Sequence, residues 1–455
     1  MQDVSLSAEQ LALFDYIENE SVNIFVTGRA GTGKSTLLSH LVDNTKKKVA
    51  VAASTGVAAF NVGGATLHSL LGIPPGLLGD KDLKHHLGHR TREILRSIDM
   101  LVIDEISMVN ADLMDAIDTM LSMARGRSKG PFGGVQIVMF GDPYQLAPVP
   151  PNDPAEQEFL RNKYRSHWFF DAHCWDKAPL ERYELHENFR QNDPEFIEIL
   201  NAIRDGSCTQ EMLDVLNAMG NKWPKDPETI RLATTNGIVD RVNAQRLAAI
   251  PGMPVTIPAD VPIGEITHFG KNPPGESKLH LKVGAQVMFI KNDDQNTRKG
   301  EGAAVRRWVN GTIGKVIEIR NQDHVLVKVD DEVFDVTRSS WEKIRYVISE
   351  DFDEITQRFK ETVVPETTAE FRQIPLRLAW SVTIHKSQGL TYDEIVVDMG
   401  DRAFSPGQTY VALSRVKSPK GLHLTRRITM LDVMVDPDVV RFMTEGRGPS
   451  FDKLV

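Results

Sequence analysis

Gly28-Arg29-Ala30-Gly31-Thr32-Gly33-Lys34-Ser35 lies between an apolar run, Val22-Asn23-Ile24-Phe25-Val26, and an amphipathic stretch, Thr36-Leu37-Leu38-Ser39-His40-Leu41. No other feature constrains the fold as tightly. Small residues at this spacing let backbone N–H groups close around phosphate oxygens, and a following helix adds the positive end of its dipole. That arrangement needs a buried strand to deliver the loop to a helix N-terminus, which is the repeating unit of a parallel α/β sheet. Lys34 supplies a point charge for β- and γ-phosphates, and the Ser35 hydroxyl can ligate Mg²⁺. A chance match in a glycine-bearing turn would not come flanked by strand and helix. The loop alone does not separate a kinase, a GTPase and a motor.

The first ~190 residues continue that alternation of short apolar runs and longer amphipathic stretches. The pattern predicts strands at Asn23–Thr27, Val49–Ala53, Met100–Asp104 and Val135–Phe140, and helices at Ala8–Asn19, Lys34–Asp43, Ala111–Ala124 and Pro194–Arg204. Leu71–Gly88 interrupts it with Gly, Pro and basic residues and is expected to be an insertion. A second α/β region starts near Glu187, with a strand at Thr229–Thr234 and a helix at Ile238–Ala249. Between about Asp293 and Gln373 the texture turns to short period-2 runs, Gly311–Ile319, Val325–Val329 and Val333–Val336, as in a small β-barrel. The α/β pattern is expected to resume at Leu376. With 455 residues, the chain is long enough for two to four folding units on the usual size of ~100–200 residues per domain.

Composition narrows the setting. A hydrophobic share of 41% and a charged share of 25% are those of a soluble globular protein. No apolar run approaches the ~20 residues of a membrane span, and Met1–Leu6 has no secretory pattern. Cys174 and Cys208 are isolated, in no metal-ligand or disulfide pattern, which fits a reducing cytoplasm. The net charge of −9 does not advertise nucleic-acid binding, although a local basic groove on an acidic body would suffice. Two basic clusters exist, Lys84, His85, His86, His89, Arg90, Arg92 and Arg96, and Arg298, Lys299, Arg306 and Arg307; a solvated face is the equal alternative for each.

Several further segments carry chemistry. Leu101-Val102-Ile103-Asp104-Glu105 is an apolar strand ending in two carboxylates. Hydrolysing a γ-phosphate needs Mg²⁺ held in place and a water oriented, so Asp104 is the candidate for the metal shell and Glu105 for the water. Phe140–Leu146 also follows a strand, and Asp142 and Gln145 could face the γ-phosphate, although Gly-Asp-Pro is ordinary turn chemistry too. Arg190, in Leu185–Gln191, and Arg415, in Tyr410–Val416, sit among apolar residues. Arginine suits phosphate oxygens as charge develops, but structural ion pairs explain these two equally well. In Trp380–Thr391 a hydrophobic strand runs into hydroxyl, imidazole, ammonium and amide groups suited to backbone phosphates. Ser54–Gly56 and Thr66–Ser69 are similar clusters. Trp168-Phe169-Phe170 and Trp175 could stack on bases, but core packing is the stronger expectation.

Together these segments resemble a superfamily-one DNA helicase of the 5′-to-3′ branch, closest to the Pif family, with phage Dda and RecD-like helicases as relatives. The resemblance spans nearly the whole chain. It rests on Ser7–Gln10, Gly28–Ser35, Ala53–Ala59, Gly64–Ser69, Asp104–Val109, Pro131–Gln136, Gly141–Leu146, Asn188–Gln191, Thr383–Gly389 and Tyr410–Arg415, in the family's order. It implies an α/β fold of two RecA-like parallel-sheet lobes, with a wedge insertion in the first and a β-barrel insertion resembling a Src-homology-3 domain in the second. The implied boundaries are 1–64 with 97–186 for the first lobe and 65–96 for the wedge. The second lobe would comprise 187–294 with 376–455, and the barrel 295–375.

The resemblance also implies an ATP-dependent helicase that moves 5′ to 3′ on single-stranded DNA, in genome maintenance, replication or repair. ATP and Mg²⁺ are the implied cofactors. Lys34, Asp104, Glu105, Gln145, Arg190 and Arg415 would be catalytic, with Ser35 and Asp104 holding the metal. Gln10 would read adenine, and Gly28, Ala30, Gly31, Thr32, Gly33, Lys34, Ser35, Thr36 and Gly389 would contact the nucleotide. Thr55, Gly56, Thr66, His68, Pro148, Thr234, Asn236, His385 and Lys386 would line the DNA path. Tailed or forked duplex and G-quadruplex DNA are the implied substrates, a monomer suffices, and the compartment is the cytoplasm of a bacterial or phage-infected cell. Two other classes compete. A small-molecule kinase has no use for a second lobe and a barrel. A non-catalytic clamp subunit would not need Lys34, Asp104, Glu105, Arg190 and Arg415 intact.

Overall fold

The computed structural model describes residues 6–445, apart from 55–57, 60–61, 74–75, 77–82, 84–85, 127–128, 152, 179, 270–272, 294–306 and 354–357. Its chain forms two compact units.

The first unit holds residues 6–187, joined by 343–368 and the C-terminal stretch from 437. Its centre is a six-stranded sheet of β1 (Asn23–Gly28), β2 (Val49–Ala53), β3 (Ala65–Thr66), β4 (Met100–Asp104), β5 (Gln136–Phe140) and β6 (Leu180–Leu185). The strands lie in the order β3-β2-β4-β5-β1-β6, and every pairing is parallel. Parallel strands are covered on both faces, which is why β1 and β5 are continuous buried runs rather than alternating ones. The covering helices are α1 (Ala8–Asn19), α2 (Lys34–Asn44), α3 (Leu67–Leu71), α4 (His89–Ser97), α5 (Ala111–Arg125) and α6 (Pro154–Lys163). Leu13 and Ile17 of α1 and Leu37, Leu38 and Leu41 of α2 pack with Ile24, Val26, Val102 and Val138 in one core. Ser7 starts α1 with a reciprocal capping box, its side chain accepting from the Gln10 N–H while the Gln10 amide accepts from the Ser7 N–H.

The aromatic patch belongs to this core. Trp168, Phe169, Phe170 and Trp175 are all buried. Phe442, on the helix Pro437–Thr444, stacks on Phe170 with centroids 4.1 Å apart and planes 3° from parallel. Arg441 of the same helix pairs with Asp171 at 2.9 Å, and Arg182 donates to the Phe442 and Met443 carbonyls. The last helix therefore packs with the first unit, whereas the expected second lobe ran to residue 455. An aromatic socket is a non-local attraction that the order of the segments cannot reveal.

The second unit comprises 188–342 and 369–436. Its parallel sheet has the spatial order Ser381–Thr383, Arg231–Ala233, Ile395–Asp398, Leu422–Leu424. A five-stranded antiparallel sheet is inserted beside it, in the order Glu332–Thr337, His324–Val329, Ile313–Ile319, Gln286–Phe289, Leu376–Leu378. Val287, Phe289, Val316, Val325, Val327, Val336 and Leu376 form its core with Trp308. The antiparallel sheet thus draws in strands from both sides of residues 295–375. Leu376–Leu378, where the α/β pattern was expected to resume, pairs antiparallel with Gln286–Phe289. The parallel sheet resumes at Ser381, where Asn243 accepts from the Ser381 N–H and donates to its carbonyl.

Candidate active site

The phosphate-binding loop leaves the C-terminal end of β1 and enters α2. Gly28, Gly31 and Gly33 have φ of 151°, 90° and 76°, backbone that an L side chain rarely adopts. At Gly28 a Cβ would also stand 2.8 Å from the Leu185 carbonyl and 2.7 Å from Thr32 Oγ1. Lys34 curls over this loop, its Nζ donating to the Gly28 carbonyl at 2.6 Å and the Arg29 carbonyl at 3.0 Å. Thr32 is buried and ties the loop through its hydroxyl to the Arg29 carbonyl. Ser35 is exposed in the first turn of α2, and Thr36 follows it. Gln10 is buried, and its Nε2 donates to the Thr32 and Gly33 carbonyls at 3.3 Å each. Its amide therefore fastens α1 to the loop, a contact that motif spacing did not suggest.

Asp104 ends β4, and Glu105 follows with φ 50° and ψ 48°. Left-handed backbone costs a non-glycine residue about 1–2 kcal/mol. Strain of this kind persists where the surrounding structure over-determines it, often at a reacting centre. Burial raises the Asp104 pKa to about 6, with the Glu105 N–H and the Lys34 charge pulling the other way. The Lys34 ammonium and the Asp104 carboxylate are thus electrostatic neighbours. The β5 end closes against this corner: a Cβ on Gly141 would meet Ile106 Cγ2 at 2.8 Å and the Ile106 nitrogen at 3.1 Å. Beyond it Asp142 is buried, accepting from the Tyr144 N–H and the Gln145 side chain. Among the described residues no group of three or more His, Cys, Asp or Glu could cage a metal. One hydroxyl and one carboxylate, Ser35 and Asp104, instead fit Mg²⁺, which keeps waters and shares substrate phosphates with one or two protein oxygens.

In the second unit the structure brings the two expected arginine segments together. Arg190 Nη1 donates to the Ser414 carbonyl at 3.1 Å. Gln191, which no sequence signal singled out beyond its place in the Asn188–Gln191 segment, donates to the Ser414 and Val416 carbonyls at 3.0 and 3.1 Å. Asn188 accepts from the N–H groups of both Arg190 and Gln191. Arg415 is only 1% exposed; its Nε donates to the Val411 carbonyl, its Nη1 to the Leu390 carbonyl and its Nη2 to Ser414 Oγ. Burial lowers the Arg190 pKa, against a smaller opposing effect of Tyr410.

The expected DNA-path residues divide. Thr55 and Gly56 lie outside the described residues. Thr66 caps α3, its hydroxyl accepting from the Ser69 N–H, and burial lowers the His68 pKa. Pro148 is buried beside an exposed Val149. Thr234 is buried, while Asn236 opens an exposed turn of the helix Asn236–Ala249. His385 and Lys386 form a short turn after Ser381–Thr383. Their outer atoms reach water, yet enough protein surrounds them that burial lowers both pKa values, with Arg377 lowering that of Lys386 further. Gly389 adopts φ 80°, and a Cβ built there would meet nothing within 4 Å.

The chain is similar to known proteins. A family model described as PIF1-like helicase matches residues 5–214. An ATP-dependent DNA helicase Pif1 of Bdellovibrio bacteriovorus is 32% identical over 98% of this chain and 94% of its own length. Several animal and fungal relatives match at 32–35% identity, and the chain spans 60–66% of their length. A crystal structure of Bacteroides sp Pif1 in complex with ADP-AlF4 is similar with a TM-score of 0.84 at 34% identity, over 97% of each chain. Another, Bacteroides Pif1 bound to ssDNA, has a TM-score of 0.69 at 34% identity, again over 97% of each chain.

Proposed function

The chain belongs to the PIF1-like helicases, ATP-dependent DNA helicases built on two RecA-like lobes, and from that premise we propose a 5′-to-3′ motor on single-stranded DNA that opens tailed or forked duplex. The observation that carries the reading is the first-unit corner where Lys34, Asp104 and the strained Glu105 meet the phosphate loop. ATP is the substrate. Ser35 and Asp104 would hold Mg²⁺, which when bound would neutralise developing phosphate charge. Lys34 and the loop N–H groups orient the β- and γ-phosphates, and Glu105 orients the attacking water. Gln145, Arg190 and Arg415 respond to the γ-phosphate, and Gln10 and Gly389 join the nucleotide contacts. Thr66, His68, Pro148, Thr234, Asn236, His385 and Lys386, with Thr55 and Gly56, carry the DNA strand. On the resemblance alone, the substrate range extends to G-quadruplex DNA and RNA–DNA hybrids, the working unit is a monomer, and the chain acts in genome maintenance in the cytoplasm of a bacterial or phage-infected cell.

Arg415→Lys tests the assignment in the second unit. Lysine keeps the charge and most of the volume but cannot reproduce the three donations of the guanidinium. Nucleotide affinity should stay within a few-fold while DNA-stimulated turnover falls about 10³-fold, the scale of an arginine that stabilises phosphoryl-transfer charge. Turnover equal to that of the parent with a lowered melting temperature returns Arg415 to a structural role.

A further inference from the structure

Leu390 stands at a junction that the site assignments do not use. Its N–H donates to the Ser387 carbonyl at 3.0 Å, which fixes it to the end of the His385–Ser387 turn. Its carbonyl accepts from Arg415 Nη1 at 3.3 Å. Two residues on, Tyr392 donates its N–H to the Arg415 carbonyl and accepts from the Lys417 N–H, at 2.9 and 3.0 Å. The backbone of 390–392 thus holds Arg415 from one side.

The side chains point the other way, onto the inserted antiparallel sheet. Gly311, in the turn that leads into Ile313–Ile319, has φ 93°, and a Cβ built there would meet the Leu390 Cδ atoms at 2.9 and 3.2 Å. The Gly311 N–H donates to the Phe289 carbonyl, so the turn is rigidly part of the sheet. The Tyr392 hydroxyl reaches the Met288 sulfur at 3.6 Å on the neighbouring strand. The φ of Gly311 favours glycine there, and the Leu390 side chain lies against it.

We propose that Leu390 is a positioning residue that couples the His385–Ser387 turn and the inserted antiparallel sheet to Arg415. The inference deepens the helicase reading and rests on it. A strand gripped at His385 and Lys386, or a shift of the sheet at Gly311, moves Leu390, and Leu390 carries its carbonyl with it. The Arg415 guanidinium then changes one of its acceptors. Packed contacts and hydrogen bonds carry coupling between sites where they switch between discrete arrangements. Leu390 touches neither phosphate nor DNA in this scheme; it sets where Arg415 sits.

Leu390→Ala in the full chain tests the coupling, with Leu390→Met as the volume-conserving control. The measured quantities are DNA-free ATP turnover, the KM for ATP, maximal turnover with a dT oligonucleotide, and oligonucleotide affinity. The expected result is DNA-free turnover, KM and affinity within about twofold of the parent, with DNA-stimulated turnover down about tenfold, a coupling loss of ordinary size. The methionine variant should retain stimulation. Unchanged stimulation in Leu390→Ala, or an equal fall with and without DNA, would each overturn the proposal. If the parent chain shows no DNA stimulation at all, the helicase reading fails instead, and the two failures are distinguishable.

Discussion

Lys34→Ala is expected to lose ATP turnover by at least about 10²–10³-fold, with or without DNA, while the fold stays intact. The size follows from removing a preorganised cation from a site where charge develops. In the structure the ammonium lies against the Gly28 and Arg29 carbonyls and near the Asp104 carboxylate, so it is aimed at the loop before any phosphate arrives. Its loss has a second consequence. Lys34 is one of the influences that lower the Asp104 pKa against the larger effect of burial. Without it that pKa rises further, which disfavours the carboxylate that the proposed Mg²⁺ site needs. Both effects have the same sign. Phosphate release in Mg-ATP with and without single-stranded DNA, alongside a thermal melt, reads the outcome. Substantial DNA-stimulated hydrolysis in a folded Lys34→Ala protein contradicts the site.

Glu105→Gln should be nearly as damaging to hydrolysis, by about 10²–10⁴-fold, the scale of a positioned acid–base group. It should leave nucleotide binding unchanged. Glutamine preserves the shape and the left-handed backbone of Glu105, so the melting temperature should not move. Glu105→Gly sharpens the test. Relieving a strained non-glycine residue at φ 50° should stabilise the fold by about 1 kcal/mol while hydrolysis still fails. A rise in stability with loss of activity means that a strained glutamate is kept at 105 for its carboxylate at a cost in stability. If turnover survives in Glu105→Gln, the attacking water is oriented by another group.

Where local chemistry decides structure, the sequence was easily read. The α1, β2 and β4 boundaries fall where expected, at Ala8–Asn19, Val49–Ala53 and Met100–Asp104. Ser7 caps the first of these, and continuous apolar runs define the other two. Pro194 behind an Asp193 cap likewise fixes the start of Pro194–Asp205. What stayed hidden is non-local. Gln286–Phe289 and Leu376–Leu378 are separated by the whole β insertion yet pair directly. Phe442 finds its aromatic socket from the far end of the chain.

The site divides in the same way. The phosphate loop and the Asp104-Glu105 pair are contiguous motifs with a mechanism, and the structure places them at the C-terminal edge of one parallel sheet. Arg190 and Arg415 lie far apart in sequence, and only folding shows that both segments converge on Ser414. The hydroxyl of Thr66 and the amide of Gln10 have local structural duties that composition could not separate from ligand contacts.

Strand separation on two matched duplexes, one with a 5′ single-stranded tail and one with a 3′ tail, tests the central claim most directly. The reaction contains Mg-ATP, and Lys34→Ala serves as the control. A 5′-to-3′ motor separates the 5′-tailed duplex and leaves the 3′-tailed one intact, and the Lys34→Ala protein separates neither. Separation of only the 3′-tailed duplex, or equal separation by the Lys34→Ala protein, would contradict the account.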